Sequence, residues 1–289
     1  FLGKTVYNWN MNIGCHVPIA KGIEKAPEMA AKWGCEAMQI FTHSPQGGRI
    51  PELDAETVKN FKAAVKNSGV KAVYVHAPYY INLASPNNRI YYGSVSAIRK
   101  NLERASLLGA KYAMTHLGSA KDFGKKETFK KLSAAFEKIF ENYDGSARLL
   151  IENSAGAGMI IGSDFKQIGE IFKNIKKLPA FAGICLDTQH SFASGYDWLN
   201  DFDNCVKELD KNIGLENVKL IHANDSATDF NSRKDRHAHI GKGKIGLEGF
   251  KKLVAFAREK NIDMIGETAY PGVVDDIRIL KEMRDKNEK

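Results

Sequence analysis

The chain has 289 residues, of which 43% are hydrophobic and 26% are charged, and this balance excludes a disordered, fibrous or disulfide-rich protein. Its formal net charge of +8 favours anionic partners such as nucleic acid. No transmembrane run or secretion signal is present, so we expect a cytoplasmic protein with no membrane partner, nucleoid-associated if the source is prokaryotic. The four cysteines lack CxxC spacing, which predicts buried, reduced thiols.

Eight short apolar or β-branched runs alternate with longer segments of helical period, the pattern of repeated βα units. The runs lie at 12–17, 37–41, 72–76, 112–117, 148–153, 181–187, 218–224 and 263–268. Between two of them, Val95, Ile98 and Leu102 keep one helix face apolar. Because a closed sheet has no edge strands, the pattern predicts a single α/β domain, a (β/α)8 TIM barrel over 11–289, after an N-terminal extension at 1–10.

Long segments at 42–54, 77–93, 188–198 and 225–246 each follow a predicted strand and precede a predicted helix. In a parallel barrel such segments lie at the C-terminal face, where barrel enzymes carry their chemistry. We therefore expect the active site at that face. The glycines of GKGKIG within the last segment lack a dinucleotide-binding fingerprint, and we assign them to turns.

Potential metal ligands occupy the ends of six successive predicted strands. In chain order they are His76, His116, Glu152, Asp187, His222 and Glu267. Two loop motifs add three more: LDTQH contains His190, and DRHAH contains Asp235 and His237. One tetrahedral zinc site uses three protein ligands and an open position, so nine ligands suffice for about two or three metals if a carboxylate bridges. The mixture of imidazoles and carboxylates favours zinc or manganese over magnesium.

Several divalent metals at the mouth of a basic protein suggest hydrolysis of a phosphodiester. Such metals can generate hydroxide near neutral pH and stabilise the charge that develops on the leaving oxygen. The chain carries no GxSxG elbow and no Walker loop, so we infer no nucleophilic triad and no nucleotide-binding loop.

The motifs also carry a family resemblance. In chain order the sequence contains VHAPYYINLASP, THLGS, IENSAGAG, CLDTQHSFASGYD, IHANDS, DRHAHIGKGKIG and GETAYP. Together these segments resemble the successive motifs of the endonuclease IV family of apurinic/apyrimidinic endonucleases, from about residue 12 to residue 285. The resemblance implies a (β/α)8 barrel with three zinc ions that cleaves duplex DNA 5′ to an abasic site, leaving a 3′-hydroxyl and a 5′-deoxyribose phosphate.

The resemblance also implies roles for individual residues. One zinc would bind His76, His116 and Glu152; a second Glu152, Asp187, His222 and Glu267; a third His190, Asp235 and His237. Glu152 and Glu267 would be the catalytic residues that hold the attacking hydroxide.

The DNA-binding residues implied by the resemblance lie in three loops. Tyr79 and Tyr80 match the position that the family inserts into the duplex, and Arg236 lies in the DRHAH motif. The family commonly has an arginine in the loop after the second strand, where this chain has Gln46. Gln46 cannot supply that charge, and Arg49 is the candidate to do so.

Two other functions remain open from the sequence. A single-metal sugar isomerase or epimerase of the xylose-isomerase-like barrels would use Glu152, Asp187, His222 and Glu267, and would leave five ligands without a role. A non-catalytic binder of damaged DNA would use metals only to order its loops. We expect double-stranded abasic DNA as the partner, no protein partner, and a monomer.

Overall fold

The computed structural model describes residues 11–48, 50–121 and 123–286. Eight parallel strands form a closed barrel in the order β1-β10-β7-β6-β5-β4-β3-β2. These strands are β1 (Ile13–His16), β2 (Ala37–Ile40), β3 (Ala72–His76), β4 (Tyr112–Thr115), β5 (Arg148–Glu152), β6 (Phe181–Asp187), β7 (Val218–His222) and β10 (Met264–Gly266). The remaining two, β8 (Asp225–Ser226) and β9 (His237–Ala238), form an antiparallel pair after β7.

Helices follow each barrel strand, so the predicted (β/α)8 fold is confirmed. In the described residues they are α1 (Ala26–Lys32), α2 (Ala55–Ser68), α3 (Asn88–Leu108), α4 (Lys125–Phe140), α5 (Phe165–Ile175), α6 (Thr188–Ala193), α7 (Phe202–Ile213), α8 (Gly246–Lys260) and α9 (Gly272–Lys286). No helix of this part of the chain is both long and apolar enough to cross a membrane.

The sequence explains where α3 begins and ends. The side chain of Asn87 accepts hydrogen bonds from the backbone N–H groups of Arg89 and Ile90, which caps the first turn. Gly109 ends the helix with φ near +76°, a left-handed conformation that glycine adopts without strain. The predicted apolar face of this helix, which includes Ile98 and Leu102, is buried against the barrel.

The barrel interior contains a separate apolar layer. One inward-facing side chain from each of seven strands forms it: Ala37, Tyr74, Met114, Leu150, Cys185, Leu220 and Ile265. These side chains are all at most 1% exposed. The layer therefore closes the barrel in the way that side-chain layers fill other barrels of this type. Below it, Tyr74 Oη donates to Asp263 Oδ2 at 2.5 Å.

Several elements begin or end at other residues than the sequence predicts. Strands β4 and β10 end one residue earlier than expected, so His116 and Glu267 follow their strands. The predicted loop 188–198 contains α6, and the loop 225–246 contains the β8–β9 hairpin. The extension at 1–10 lies outside the described residues, and the single domain over 11–289 stays a prediction.

All four cysteines are free and buried, as the spacing predicts. Cys15 Sγ and Cys35 Sγ lie 3.5 Å apart, a proximity that their separation in sequence does not suggest.

Asp225 holds the segment between β9 and α8. Its buried carboxylate accepts hydrogen bonds at 2.8–3.3 Å from the backbone N–H groups of Ser226, Gly241, Gly243, Ile245 and Gly246. A Cβ on Gly243 would collide with this carboxylate, so the backbone can approach it only as glycine. The GKGKIG glycines therefore allow the chain to wrap around one buried charge.

We predict that Asp225→Ala lowers the free energy of unfolding by about 2 kcal/mol or more, because hydrogen bonds to a charged acceptor are strong and the buried N–H donors would lose their partner. Urea unfolding checks this value. Asp229→Asn is the control: its side chain is 84% exposed and pairs only with Lys244 among the described ion pairs, so its effect should stay within about 0.5 kcal/mol. Equal effects would contradict the assigned role of Asp225.

Candidate metal centre

A second inward-facing layer lies directly above the apolar layer. Alternate residues of a strand face the same side, so seven members of this layer lie two positions after a residue of the apolar layer. The eighth, on β1, lies beside the β2 member. The members are His16, Gln39, His76, His116, Glu152, Asp187, His222 and Glu267. The six strand-end ligands predicted from the sequence therefore share one layer at the barrel mouth.

Glu152 lies at the centre of this layer and is 1% exposed. Its Oε2 is 3.0 Å from His76 Nε2 and 3.5 Å from His116 Nε2. Its Oε1 is 3.0 Å from His222 Nδ1 and 3.5 Å from His190 Nδ1. One carboxylate thus faces four imidazoles, which is the geometry expected of a bridging ligand.

The three loop ligands form the outer part of the same cluster. His190 Nε2 is 3.3 Å from Asp235 Oδ2, and His237 Nε2 is 3.4 Å from Asp235 Oδ1. His237 Nε2 is also 3.7 Å from Asp187 Oδ2. The first turn of α6 and the β8–β9 hairpin bring these side chains over the layer below.

Within the described ranges, four groups of donors could each hold a metal ion, with all ligand atoms of a group within 4.8 Å of one another. One group is the predicted second set: Glu152, Asp187, His222 and Glu267. The other three divide the donors differently from the predicted sets: His76, Glu152 and His222; His116, Glu152 and His190; Asp187, His190 and His237. These groups contain eight of the nine predicted ligands, several of them more than once, and Asp235 joins the cluster through its contacts with His190 and His237.

The donor chemistry fits a metal. In the described residues, the buried Nε2 atoms of His190 and His237 have no hydrogen-bond partner, although both face Asp235. A buried polar atom without a partner needs an explanation, and a cation bound between these imidazoles and the carboxylate supplies one.

The imidazoles and carboxylates of the cluster shift one another's pKa values. Burial disfavours the charged form of His190, but carboxylates led by Asp187 outweigh it and raise the pKa of His190 to about 10. Burial also opposes ionisation of Glu267, yet His222 lowers its pKa to about 2. Burial also disfavours the charged form of Glu152, but the imidazoles of His116 and His222 hold its pKa well below the usual range. Metal binding would therefore displace protons from imidazoles while the carboxylates stay ionised.

Amide side chains that the sequence did not single out orient the ligands. Asn224 Nδ2 donates to Asp187 Oδ2 at 2.7 Å and to Glu267 Oε2 at 3.1 Å. Asn153 Oδ1 accepts from the Asp187 backbone N–H at 2.6 Å. Such partners fix ligand geometry in metal sites. Asn153 lies in IENSAGAG and Asn224 in IHANDS, but amides are not metal-ligand types, so a search for such types does not find them.

Four of the five predicted DNA-binding residues are described, and they lie on loops at the barrel mouth. Tyr79 is 68% exposed and Tyr80 is 41% exposed, and both follow β3. Gln46 is exposed on the loop after β2, and the two loops meet where Tyr79 N donates to Pro45 O at 3.3 Å. Arg236 is exposed beside the cluster. Arg49 lies outside the described residues.

A cleft of about 750 Å³ opens over the cluster. Its walls include Phe41, Tyr79, Trp33 and Tyr270 in addition to the metal-ligand candidates. The rings of Trp33 and Tyr270 stack with centroids 5.0 Å apart, a contact between residues from opposite ends of the chain. The cleft is therefore polar at its floor and aromatic at its rim.

Comparison with known proteins identifies the family. The model of the xylose isomerase-like TIM barrel family matches residues 27–284. A relative from Nitrosopumilus maritimus (strain SCM1), "Probable endonuclease 4", is 38% identical over 279 residues, covering 95% of this chain and 99% of the relative. This chain belongs to the endonuclease IV family. A second member, from Aquifex aeolicus (strain VF5), is 36% identical over 283 residues, covering 95% of this chain and 98% of that relative.

Solved structures agree with this assignment. The crystal structure of endonuclease IV from Thermus thermophilus superposes with a TM-score of 0.83 at 32% identity, covering 95% of this chain and 99% of that one. A D-psicose 3-epimerase superposes with a TM-score of 0.66 at 13% identity, covering 95% of each chain. The second likeness shows the shared barrel fold alone.

We predict that Zn²⁺ stabilises the metal-stripped protein and that Mg²⁺ does not. A ligand present at about 100 times its Kd stabilises the folded state by about 2.7 kcal/mol per site, so excess zinc should raise Tm by at least about 5 °C. Magnesium should change Tm little, because it prefers oxygen donors in octahedral geometry. Thermal unfolding with each ion checks this. Equal shifts would contradict a site built on imidazoles.

Proposed function

We propose that this protein is a DNA-repair endonuclease that hydrolyses the phosphodiester 5′ to an abasic site in duplex DNA. The products would carry a 3′-hydroxyl and a 5′-deoxyribose phosphate. The observation that carries this proposal is the convergence of nine imidazole and carboxylate side chains in one cluster beneath a cleft, in a chain that belongs to the endonuclease IV family.

We further propose that the cluster holds three zinc ions. The predicted set of Glu152, Asp187, His222 and Glu267 coincides with one compact group. We propose the other two ions for the predicted sets of His76, His116 and Glu152, and of His190, Asp235 and His237. When bound, such ions would polarise the phosphate and promote ionisation of an attacking water. The overlap of groups at Glu152 supports its role as a shared ligand.

Glu152 and Glu267 would together hold the attacking hydroxide, and Glu152 would have a structural task as well. Glu152 is buried, with both oxygens facing imidazoles, so it would organise the centre. The side chain of Glu267 is 14% exposed and lines the cleft, so it can reach a water molecule beside the scissile phosphate. Although burial disfavours its charged form, His222 lowers the pKa of Glu267, so its carboxylate would accept a hydrogen bond from that water and orient it.

Substrate contacts would come from the rim. Extrusion of an abasic nucleotide breaks stacking, which inserted side chains can replace. The exposure of Tyr79 and Tyr80 beside the cleft supports this role for them, and Arg236, which lines the cleft, would contact the DNA backbone. Gln46 would contact it from the exposed loop that meets the loop of Tyr79. Arg49 is proposed for the same role on sequence alone. The net charge of +8 favours this polyanion.

The two alternative functions explain less. A one-metal sugar isomerase or epimerase would need only four of the donors, and it would leave unpartnered the buried Nε2 atoms of His190 and His237. A non-catalytic binder of damaged DNA would not need a cleft-facing carboxylate such as Glu267.

We propose a chain that acts as a monomer on DNA.

Incision of a duplex with one abasic site tests the function, with product ends analysed and metals counted in protein purified without added metal. We expect cleavage on the 5′ side, a 3′ end that a DNA polymerase extends, and about three metals per chain, mainly zinc. About one metal without incision would favour the isomerase. Tight binding to abasic DNA without incision would favour the damaged-DNA binder.

We predict that Asp187→Ala and Tyr79→Ala fail in different ways. Asp187 is buried among the metal ligands, so its loss should abolish turnover and leave most of the DNA affinity. Loss of Tyr79 should instead reduce the preference for abasic over intact duplex by about 1–3 kcal/mol, the value of one stacking contact. Binding titrations and single-turnover incision separate the two effects.

The control for Tyr79→Ala is Leu107→Ala, which removes another exposed apolar side chain at the far end of α3. This variant should bind and incise as the unaltered protein does. If Tyr79→Ala and Asp187→Ala lost binding and turnover in equal measure, the division between rim and floor would be wrong.

A further inference from the structure

Gln39 lies in the ligand layer but is not itself a metal ligand. It is on β2, its side chain is 0% exposed, and β1 and β3 flank it on either side. It is the β2 member of the layer, where six of the other strands contribute an imidazole or a carboxylate to the metal centre.

Each polar atom of the Gln39 amide has a partner. His222 Nε2 lies 2.7 Å from Gln39 Oε1. Gln39 Nε2 is 2.6 Å from Glu267 Oε1 and 3.0 Å from His16 Nδ1. An amide offers two N–H donors on nitrogen and an acceptor on oxygen, so these three contacts use both hydrogens and the oxygen.

Only one orientation of the amide suits these partners. A flipped amide would place its oxygen 2.6 Å from Glu267 Oε1, and two acceptors at that distance would repel. In the observed orientation the amide oxygen accepts, so the proton of His222 must be on Nε2. His222 Nδ1, which faces Glu152 Oε1 at 3.0 Å and Glu267 Oε2 at 3.3 Å, is then free to present its lone pair to a metal.

Gln39 also holds Glu267, the most exposed carboxylate of the layer. Gln39 on β2 donates a hydrogen bond to Oε1 of Glu267, and Asn224, in the segment after β7, donates one to Oε2 at 3.1 Å. The carboxylate is therefore held from two sides although the cleft gives it room to move. Two of the four ligands in the group of Glu152, Asp187, His222 and Glu267 depend on the Gln39 amide.

We propose that Gln39 is a positioning residue for one metal of the centre, the ion held by His222 and Glu267. It fixes the protonated nitrogen of His222 and the rotation of Glu267, so that both present a ligand atom to the same point. This inference rests on the proposed metal centre and not on the proposed DNA substrate. Removal of partners of this kind typically lowers metal affinity about 10-fold to 100-fold.

Gln39→Met tests the proposal, because methionine has a similar volume and lacks both amide functions. We measure metal content by elemental analysis after equilibration with graded concentrations of a chromophoric zinc chelator. We expect one metal per chain to be lost at about 10-fold to 100-fold lower chelator concentration than in the unaltered protein. The remaining metals should be retained as before, because Gln39 contacts no other predicted ligand in the described hydrogen bonds.

Three further variants make the result specific. Gln39→Asn keeps an amide that is one methylene too short and should weaken the same metal to a smaller degree. Glu267→Gln alters a direct ligand and should release that metal most easily. Tyr74→Phe removes the buried hydrogen bond to Asp263 below the apolar layer and should change no metal affinity, although it lowers stability.

Visible spectra of the Co²⁺-substituted proteins give a second measurement. The spectrum should change in Gln39→Met and stay unaltered in Tyr74→Phe. Equal weakening of all metals in Gln39→Met, or no weakening in a folded variant, would overturn the proposal, as would an unaltered protein that binds no zinc. If Gln39→Met loses one metal and the unaltered protein, with all its metals, fails to incise abasic DNA, the role of Gln39 is supported and the DNA substrate is refuted.

Discussion

The alternation of side chains along each barrel strand is the constraint on which this structure depends. Because successive residues point to opposite faces, an apolar residue in the barrel interior places the residue two positions later in the same interior, one layer higher. Closure of the sheet turns eight such positions into a ring. A buried ring of carboxylates and imidazoles would be costly if either type were alone. Each carboxylate here faces imidazoles, and the oppositely charged groups offset the cost.

Much of the fold and of the ligand set could be predicted from the sequence. The apolar runs indicated the strands, and the residue type at each strand end indicated the ligands. His116 and Glu267 were recognised although each lies one residue beyond its strand. The reason is that the interior alternation continues past the last strand hydrogen bond, so a small error in a boundary does not change which face a side chain occupies.

What the sequence did not indicate follows from the same physics. Gln39 and His16 occupy ligand-layer positions, but an amide is not a ligand type, and a single histidine in a strand has many ordinary roles. Gln39 could have been found by counting two residues on from Ala37 in the apolar layer, whereas β1 contributes no residue to that layer from which to count to His16. The contact of Trp33 with Tyr270 and the wrapping of a loop around Asp225 depend on tertiary packing. No local pattern predicts contacts of that kind.

The apolar layer has a consequence for exchange with solvent. Ala37, Tyr74, Met114 and their neighbours fill the barrel directly beneath the ligand layer, so the described part of the chain leaves the cluster no route to the opposite end of the barrel. Ions, water and chelators must therefore enter through the same aromatic-rimmed cleft that a duplex would cover. Occupation of that entrance by a polymer would trap the contents of the centre, so a bound duplex would slow the loss of the proposed metals.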